Sequence, residues 1–253
     1  MQGAPYRQGE QAIILEARQV TKSYGSVTAL DGVSLGVPRG SCTALVGESG
    51  SGKTTLLRSF NRMVEPDAGS LHVDGSDVAS LDAVQLRRSI GYVAQDGGLL
   101  PHWTVARNAE LVPWLLGVSN PWEKAERALN LVGLPAETFR NRWPRELSGG
   151  QRQRAALARA LAGGAEVLLL DEPFGALDAI TRLDVQRTFS ELRAELGLTT
   201  LFVTHDLRVA FSLSDQVVVM RSGRVEQAGA PAELREQPAT AYVSELLDKA
   251  GVA

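Results

Sequence analysis

The 253-residue sequence predicts an α/β fold: a sheet-bearing core interrupted by a helical segment. Three observations carry that expectation. Short apolar runs at 42–46, 167–170 and 199–203 have the length, and in part the β-branched content, of buried strands. A glycine-rich loop, Gly47-Glu48-Ser49-Gly50-Ser51-Gly52-Lys53-Thr54, joins the first of these runs to the helix-compatible Thr55-Leu56-Leu57-Arg58-Ser59-Phe60. From about residue 96 to residue 161 strand-like runs disappear, and helical patterns are broken at Pro101, Pro113, Pro121, Pro135 and Pro144.

In chain order, residues 1–10 are polar with Gly and Pro and read as a frayed end. Residues 12–20 and 29–37 read as short strands around the turn-like Ser23-Tyr24-Gly25-Ser26. After the glycine loop and its helix come a turn at 65–69, a strand at 70–73 closed by the hairpin-type Asp74-Gly75, and a buried strand at 90–94 ending at Gln95. The strands at 167–170 and 199–203 follow the helical stretch. Residues 216–220 and 224–227 flank Ser222-Gly223 as a hairpin that supplies an antiparallel edge, and residues 230–249 read as two short helices. The expected division is a single domain over 1–253. Residues 1–95 and 162–253 form its core with a β subdomain, and 96–161 form an inserted helical subdomain.

Composition narrows the function. Apolar content is 44% and net charge is −3, with no basic block of the kind that tracks a nucleic-acid backbone, so no nucleic-acid partner is expected. No run approaches the roughly 18 apolar residues of a membrane-spanning helix, and the N-terminus lacks a charged-then-apolar leader pattern. The expectation is a cytoplasmic protein that reaches a membrane only through another chain. The single Cys42 lies in an apolar strand and reads as a structural thiol.

The loop from Gly47 to Thr54 has the pattern G-x-x-x-x-G-K-[ST]. Glycines allow backbone N–H groups to close around phosphate oxygens, and the following helix N-terminus adds positive potential. Lys53 is expected to reach the β- and γ-phosphates, Thr54 to help hold Mg²⁺, and Thr55 to belong to the same nucleotide site. Four apolar residues followed by Asp171 have the form of a Walker B strand, whose carboxylate holds Mg²⁺ through water. Glu172 adds a second carboxylate, and Pro173 is expected to bias it toward an extended backbone that aims it at an attacking water.

Leu147-Ser148-Gly149-Gly150-Gln151 precedes a strong helix former rich in Ala, Arg and Leu. Ser148 and Gln151 fit a capping box, which alone accounts for both. It does not account for Gly149 and Gly150, each costing roughly 1 kcal/mol in a helix relative to Ala. Two glycines at a positive helix end suit close approach by an anion.

With these motifs the chain resembles the ATP-binding subunits of ATP-binding-cassette (ABC) transporters over nearly its whole length. The resemblance implies a P-loop NTPase (RecA-like) core with an inserted α-helical subdomain, ATP and Mg²⁺ as ligands, and a head-to-tail dimer. In that dimer the signature at Ser148, Gly149, Gly150 and Gln151 would face the γ-phosphate of the opposite subunit. It also implies that Tyr24 stacks on adenine, that Gln95 senses Mg²⁺ and links the site to a membrane partner, that Asp178 lies at the dimer contact, and that His205 touches the γ-phosphate. The acidic residue frequent in that family four positions after His205 is Val209 here.

Residues 90–118 and 172–182 further resemble osmoprotectant importers, which handle glycine betaine, choline, carnitine and related quaternary amines. Transmembrane permease subunits and, indirectly, a substrate-binding protein are the partners this implies. Amino-acid, sulfonate or ergothioneine-like cargo, an exporter, and a permease-free ABC ATPase acting on DNA or ribosomes are the alternatives. Many such relatives carry a C-terminal regulatory extension; with the last residue at Ala253, regulation through one is not expected. Trp103, Trp114, Trp122 and Trp143 all fall in the helical stretch, where packing and a permease-gripping surface are the two readings.

Overall fold

A computed structural model describes residues 12–252; the frayed end read from residues 1–10 lies outside the described residues. Two sheets organise the molecule. The first is antiparallel, in the order β2-β1-β4-β5. It is built from β1 (Ile13–Tyr24), β2 (Val27–Pro38), β4 (Ala68–Val73) and the short β5 (Ser76–Asp77). The second has the order β10-β9-β3-β8-β7-β6. Its strands are β3 (Cys42–Val46), β6 (Ile90–Val93), β7 (Val167–Asp171), β8 (Thr199–Val203), β9 (Gln216–Arg221) and β10 (Arg224–Gly229). All its pairings are parallel except β10 with β9, which gives the antiparallel edge expected from the hairpin.

Strand parity sorts the core into two apolar clusters. Side chains alternate across a strand, so Ala44, Val46, Leu168, Leu170, Phe202, Val217 and Val219 fill one cluster. Leu45, Val167, Leu169, Leu201, Val203, Val218 and Met220 fill the other, together with the first sheet and α1 (Lys53–Ser59). Burial on both faces is why these strands read as unbroken apolar runs rather than alternating ones.

Between β6 and β7 the chain is helical: α3 (Val105–Leu115), α4 (Pro121–Leu131), α5 (Ala136–Phe139) and α6 (Gly149–Ala162). Val105, Ala109, Ala125, Leu129 and Ala156 from these helices join the same apolar cluster as Leu168 and Phe202 of the sheet. Pro121 opens α4 at a position where no N–H is needed. Pro113, expected to break a helix, instead sits buried inside α3, two residues from its end, so the helix stops soon after rather than before it. Two helices escaped the sequence reading, α2 (Ala83–Ser89) and α7 (Ala179–Leu196); α8 (Leu207–Leu213) is the helix that follows His205. The tail forms α9 (Pro231–Glu236) and α10 (Ala241–Ala250), as expected. Cys42 is fully buried. Among the described residues no helix is long and apolar enough to cross a membrane.

Candidate functional site

The parallel strands β3, β7 and β8 run side by side, so their C-terminal ends share one edge, where α/β sheets place ligands. The glycine loop leaves β3 there. Gly47 has φ 141°, and a Cβ on it would stand 2.1 Å from the Met220 carbonyl oxygen. Gly52, at φ 101°, caps α1, and its Cβ would meet the Ala29 carbonyl oxygen at 2.3 Å. Only glycine fits either position. No side chain caps the first turn of α1, so its N–H groups stay available. Glu48, Ser49 and Gly50 are exposed, and Thr55 is half-buried in that turn.

Lys53 is buried, and its ammonium donates to the carbonyls of Gly47 at 2.9 Å and Glu48 at 2.7 Å and to Ser51 Oγ at 3.2 Å. Burial pushes its pKa down, opposed by the nearby carboxylates of Glu172 and Asp171. The ammonium therefore lies in a cradle of neutral oxygens with two anions close by, a setting in which phosphate oxygens are stronger partners than carbonyls.

Asp171 closes β7 with its carboxylate buried. Thr54 Oγ1 donates to its Oδ1 at 2.9 Å, and Arg58 Nη2 donates to its Oδ2 at 3.0 Å. Tyr92 on β6 adds its hydroxyl to this group; burial raises the phenol pKa, and the Arg58 guanidinium opposes the rise. Neither Arg58 nor Tyr92 was found from sequence. The two side chains meet Asp171 only through the fold, Arg58 from 113 positions away. The hydroxyl of Thr54 beside a buried carboxylate is a hard-oxygen pair suited to Mg²⁺. Among the described residues no three or more His, Cys, Asp or Glu side chains form a cage, so such an ion would complete its shell with phosphate oxygens and water.

Glu172 departs from the expected extended backbone. Its φ is +48°, in the left-handed region, while its N–H donates to the Val203 carbonyl at 3.1 Å. The residue thus holds the neighbouring strand and turns its chain away at once, a conformation that costs a non-glycine residue about 1–3 kcal/mol and clusters at functional sites. His205, just beyond β8, places Nδ1 2.6 Å from Glu172 Oε2. Gly175 closes over the pair: a Cβ there would come within 3.0 Å of Glu172 Oε2 and 3.4 Å of His205 Cε1.

Gln95 is exposed two residues beyond β6, whose Val93 pairs in register with Leu170 next to Asp171. Tyr24 ends β1 with its ring exposed, and the Lys22 ammonium lies 5.6 Å from the ring centre. The fold thus bonds Thr54 of the glycine loop to Asp171 and pairs Glu172 with His205, with the Lys53 ammonium near enough to feel both carboxylates, while Gln95 and Tyr24 show no bond to any of them.

A second cluster forms around Ser148. Ser148 and Gln151 make the reciprocal capping box expected of them, with bonds of 3.2 and 3.0 Å. Gly149 faces Leu177, which a Cβ would reach at 3.3 Å. The glycine at 150 has a packing cause the sequence did not show: it is buried, and a Cβ would stand 2.2 Å from Thr181 Cγ2 on α7. Close approach of two helices thus gives that glycine a packing cause beside the expected approach of an anion. Asp178 caps α7 through the Thr181 N–H at 3.1 Å, and hydrogen bonds from the Thr181 hydroxyl and N–H hold its carboxyl below the usual range. Val209 is buried in the first turn of α8. Trp114 is 54% exposed and Trp143 37%, whereas Trp122 packs against the core.

Comparison with known proteins gives one consistent family. A family profile described as "ABC transporter" matches residues 30–175. The chain is 44% identical over 239 residues to the carnitine transport ATP-binding protein OpuCA of Listeria monocytogenes, covering 93% of this chain and 60% of that one. It is 46% identical over 240 residues to the Fe(3+) ions import ATP-binding protein FbpC of Pseudomonas fluorescens, covering 93% and 67%. The chain thus spans about three fifths of the length of the carnitine relative. Among solved structures it is similar to MJ0796, a bacterial ABC transporter cassette seen as a dimer (TM-score 0.77, 33% identity, 86% of this chain and 98% of that one). MJ0796 has also been solved as a post-hydrolysis dimer bound to ADP and Pi.

Proposed function

The chain belongs to the ABC transporter family, and we propose that it is the ATP-hydrolysing subunit of an importer for a small solute, a quaternary-amine osmoprotectant such as glycine betaine, choline or carnitine. The observation that carries the hydrolytic part is the contact of His205 with Glu172 at the strand end beside Lys53 and Asp171.

Each residue then has a task. Loop N–H groups from Gly47 to Thr55 and the Lys53 ammonium bind the phosphates, with Lys53 exchanging carbonyl partners for phosphate oxygens. Thr54, Asp171 and Gln95 would hold Mg²⁺, which when bound would neutralise phosphate charge. Tyr24 stacks on the adenine. Glu172 takes a proton from water as the water oxygen bonds to the γ-phosphorus. The bond from that phosphorus to the β,γ-bridging oxygen breaks, releasing ADP and inorganic phosphate. His205 orients the Glu172 carboxylate and faces the γ-phosphate.

The cluster of Ser148, Gly149, Gly150, Gln151 and Asp178 completes the site of a second copy, so two chains enclose two ATP molecules head to tail. The dimeric state of MJ0796 supports that arrangement. Residues 96–161 act as a subdomain whose exposed Trp114 and Trp143 face the permease at the inner side of the membrane, with a substrate-binding protein delivering cargo. Because the permease and binding protein read the cargo, the iron-importing relative keeps a second reading in play: ferric ion as the solute.

The test is reconstitution of the chain with its permease and binding protein in liposomes. Carnitine, choline or glycine betaine should stimulate ATP hydrolysis and enter the vesicles. Stimulation by ferric ion alone, or by none of these solutes, would overturn the cargo assignment.

A further inference from the structure

Arg182, in the first turn of α7, joins two loops that the hydrolytic site depends on. Its Nη2 donates to the Leu177 carbonyl at 2.8 Å, and its Nη1 lies 3.6 Å from Asp206 Oδ2. Asp206 follows His205 directly and caps α8, accepting from the N–H groups of Arg208 and Val209 at 3.0 and 3.3 Å. Leu177 precedes Asp178 and closes the loop that starts at Glu172.

These contacts form a closed circuit. From the Glu172 carboxylate it crosses to His205, passes along the chain to Asp206, crosses through Arg182 to Leu177, and returns along the chain to Glu172. On the return path Phe174 makes edge-on contacts with Phe189 and Phe202, at ring-centre distances of 5.9 and 6.3 Å. The β7–β8 pairing and the bond from the Glu172 N–H to the Val203 carbonyl anchor the two loops at their bases, and the two side-chain crossings, His205–Glu172 and Arg182, add restraint farther along them. Lysine replaces Arg182 only in part, because the guanidinium reaches Leu177 and Asp206 through two separate nitrogens held in a fixed fork.

We propose that Arg182 is a positioning residue for ATP hydrolysis: it holds the Glu172 loop against the His205 loop and passes to both any displacement of Asp178. The inference rests on the hydrolytic reading above and extends it. Arg182 has no contact with the glycine loop among its described bonds, so nucleotide affinity should not depend on it.

The experiment measures Mg·ATP hydrolysis and equilibrium ATP binding by the purified full chain carrying Arg182→Ala, Arg182→Lys, Asp206→Asn, or Arg182→Ala with Asp206→Asn. Arg182→Ala should lower kcat at least tenfold while KM and the ATP dissociation constant stay within twofold. Arg182→Lys should fall between it and the parent. The double variant should be no slower than Arg182→Ala alone, because both changes open the same crossing. If Arg182→Ala proves too unstable to assay, Arg182→Lys is judged by the kcat and KM split. A kcat within twofold of the parent in both Arg182 variants, an equal loss in binding and turnover, or a double variant whose losses multiply would overturn the proposal. Lys53→Ala serves as the control for the underlying reading. If it binds ATP normally, the nucleotide site itself is misassigned; if it fails to bind while Arg182→Ala turns over normally, only the positioning role falls.

Discussion

His205 Nδ1 stands 2.6 Å from Glu172 Oε2, and the contact links the ends of two neighbouring parallel strands, β8 and β7. Strand pairing thus sets the separation of the two residues before any ligand arrives. The left-handed backbone at Glu172 turns its carboxylate into that contact.

Glu172→Gln keeps the size of the side chain and removes its basicity. ATP binding should persist, hydrolysis should slow by about 10²–10⁴-fold, and ATP-bound dimers should accumulate. Single-turnover hydrolysis and size-exclusion chromatography with ATP check this; turnover near the parent rate would remove Glu172 from the role of base.

Lys53→Ala should act earlier, on affinity. The ammonium is the buried cation of the glycine loop, and its loss leaves the Gly47 and Glu48 carbonyls facing the phosphates. Calorimetric titration with ATP should show weaker binding by at least tenfold, separating this variant from Glu172→Gln.

Gly150→Ala distinguishes helix packing from anion approach. The added Cβ meets Thr181 Cγ2 at 2.2 Å, and such overpacking costs about 1–3 kcal/mol. Adding Thr181→Ser, which deletes that methyl, should restore most of the lost stability in denaturant unfolding. Stability unchanged by Gly150→Ala would return the glycine to the anion reading.

Cys42 gives a pH signature. Burial pushes its thiol up to about 12, from an ordinary value of 9.0. With the folded pKa raised, the neutral thiol contributes its full stability below pH 9, and that contribution is lost as pH climbs toward 12 because the unfolded chain ionises first. At pH 10.5 the loss should be about 2 kcal/mol. Cys42→Ala should lack this alkaline component when unfolding is compared at pH 7 and pH 10.5.

Much of this was legible because the signals were local. The glycine loop, the apolar run before Asp171 and the Ser148 capping box are written in adjacent residues, and the structure forms each of them. Four features were not legible for physical reasons. Arg58, Tyr92 and Arg182 carry no local pattern; their roles arise from partners that only the sheet brings near. Glu172 was expected to be extended because Pro173 disfavours the right-handed helical region, but the hydrogen bond to Val203 selected the left-handed one. Pro113 was read as a breaker, yet near a helix end few backbone bonds remain for a proline to disrupt. The packing cause of Gly150 was missed because the sequence cannot show Thr181 opposite it.

The separation of the two clusters, one on the glycine loop and one on Ser148, has a genetic consequence in the proposed dimer. A chain with a dead loop and a chain with a dead signature can complement each other. Where Lys53→Ala pairs with Ser148→Arg, one composite site inherits both defects and the other inherits neither. Two individually inactive proteins, mixed and allowed to exchange partners, should therefore recover part of the parent activity. The same two substitutions placed together in one chain should poison both sites of every dimer formed with an unaltered partner.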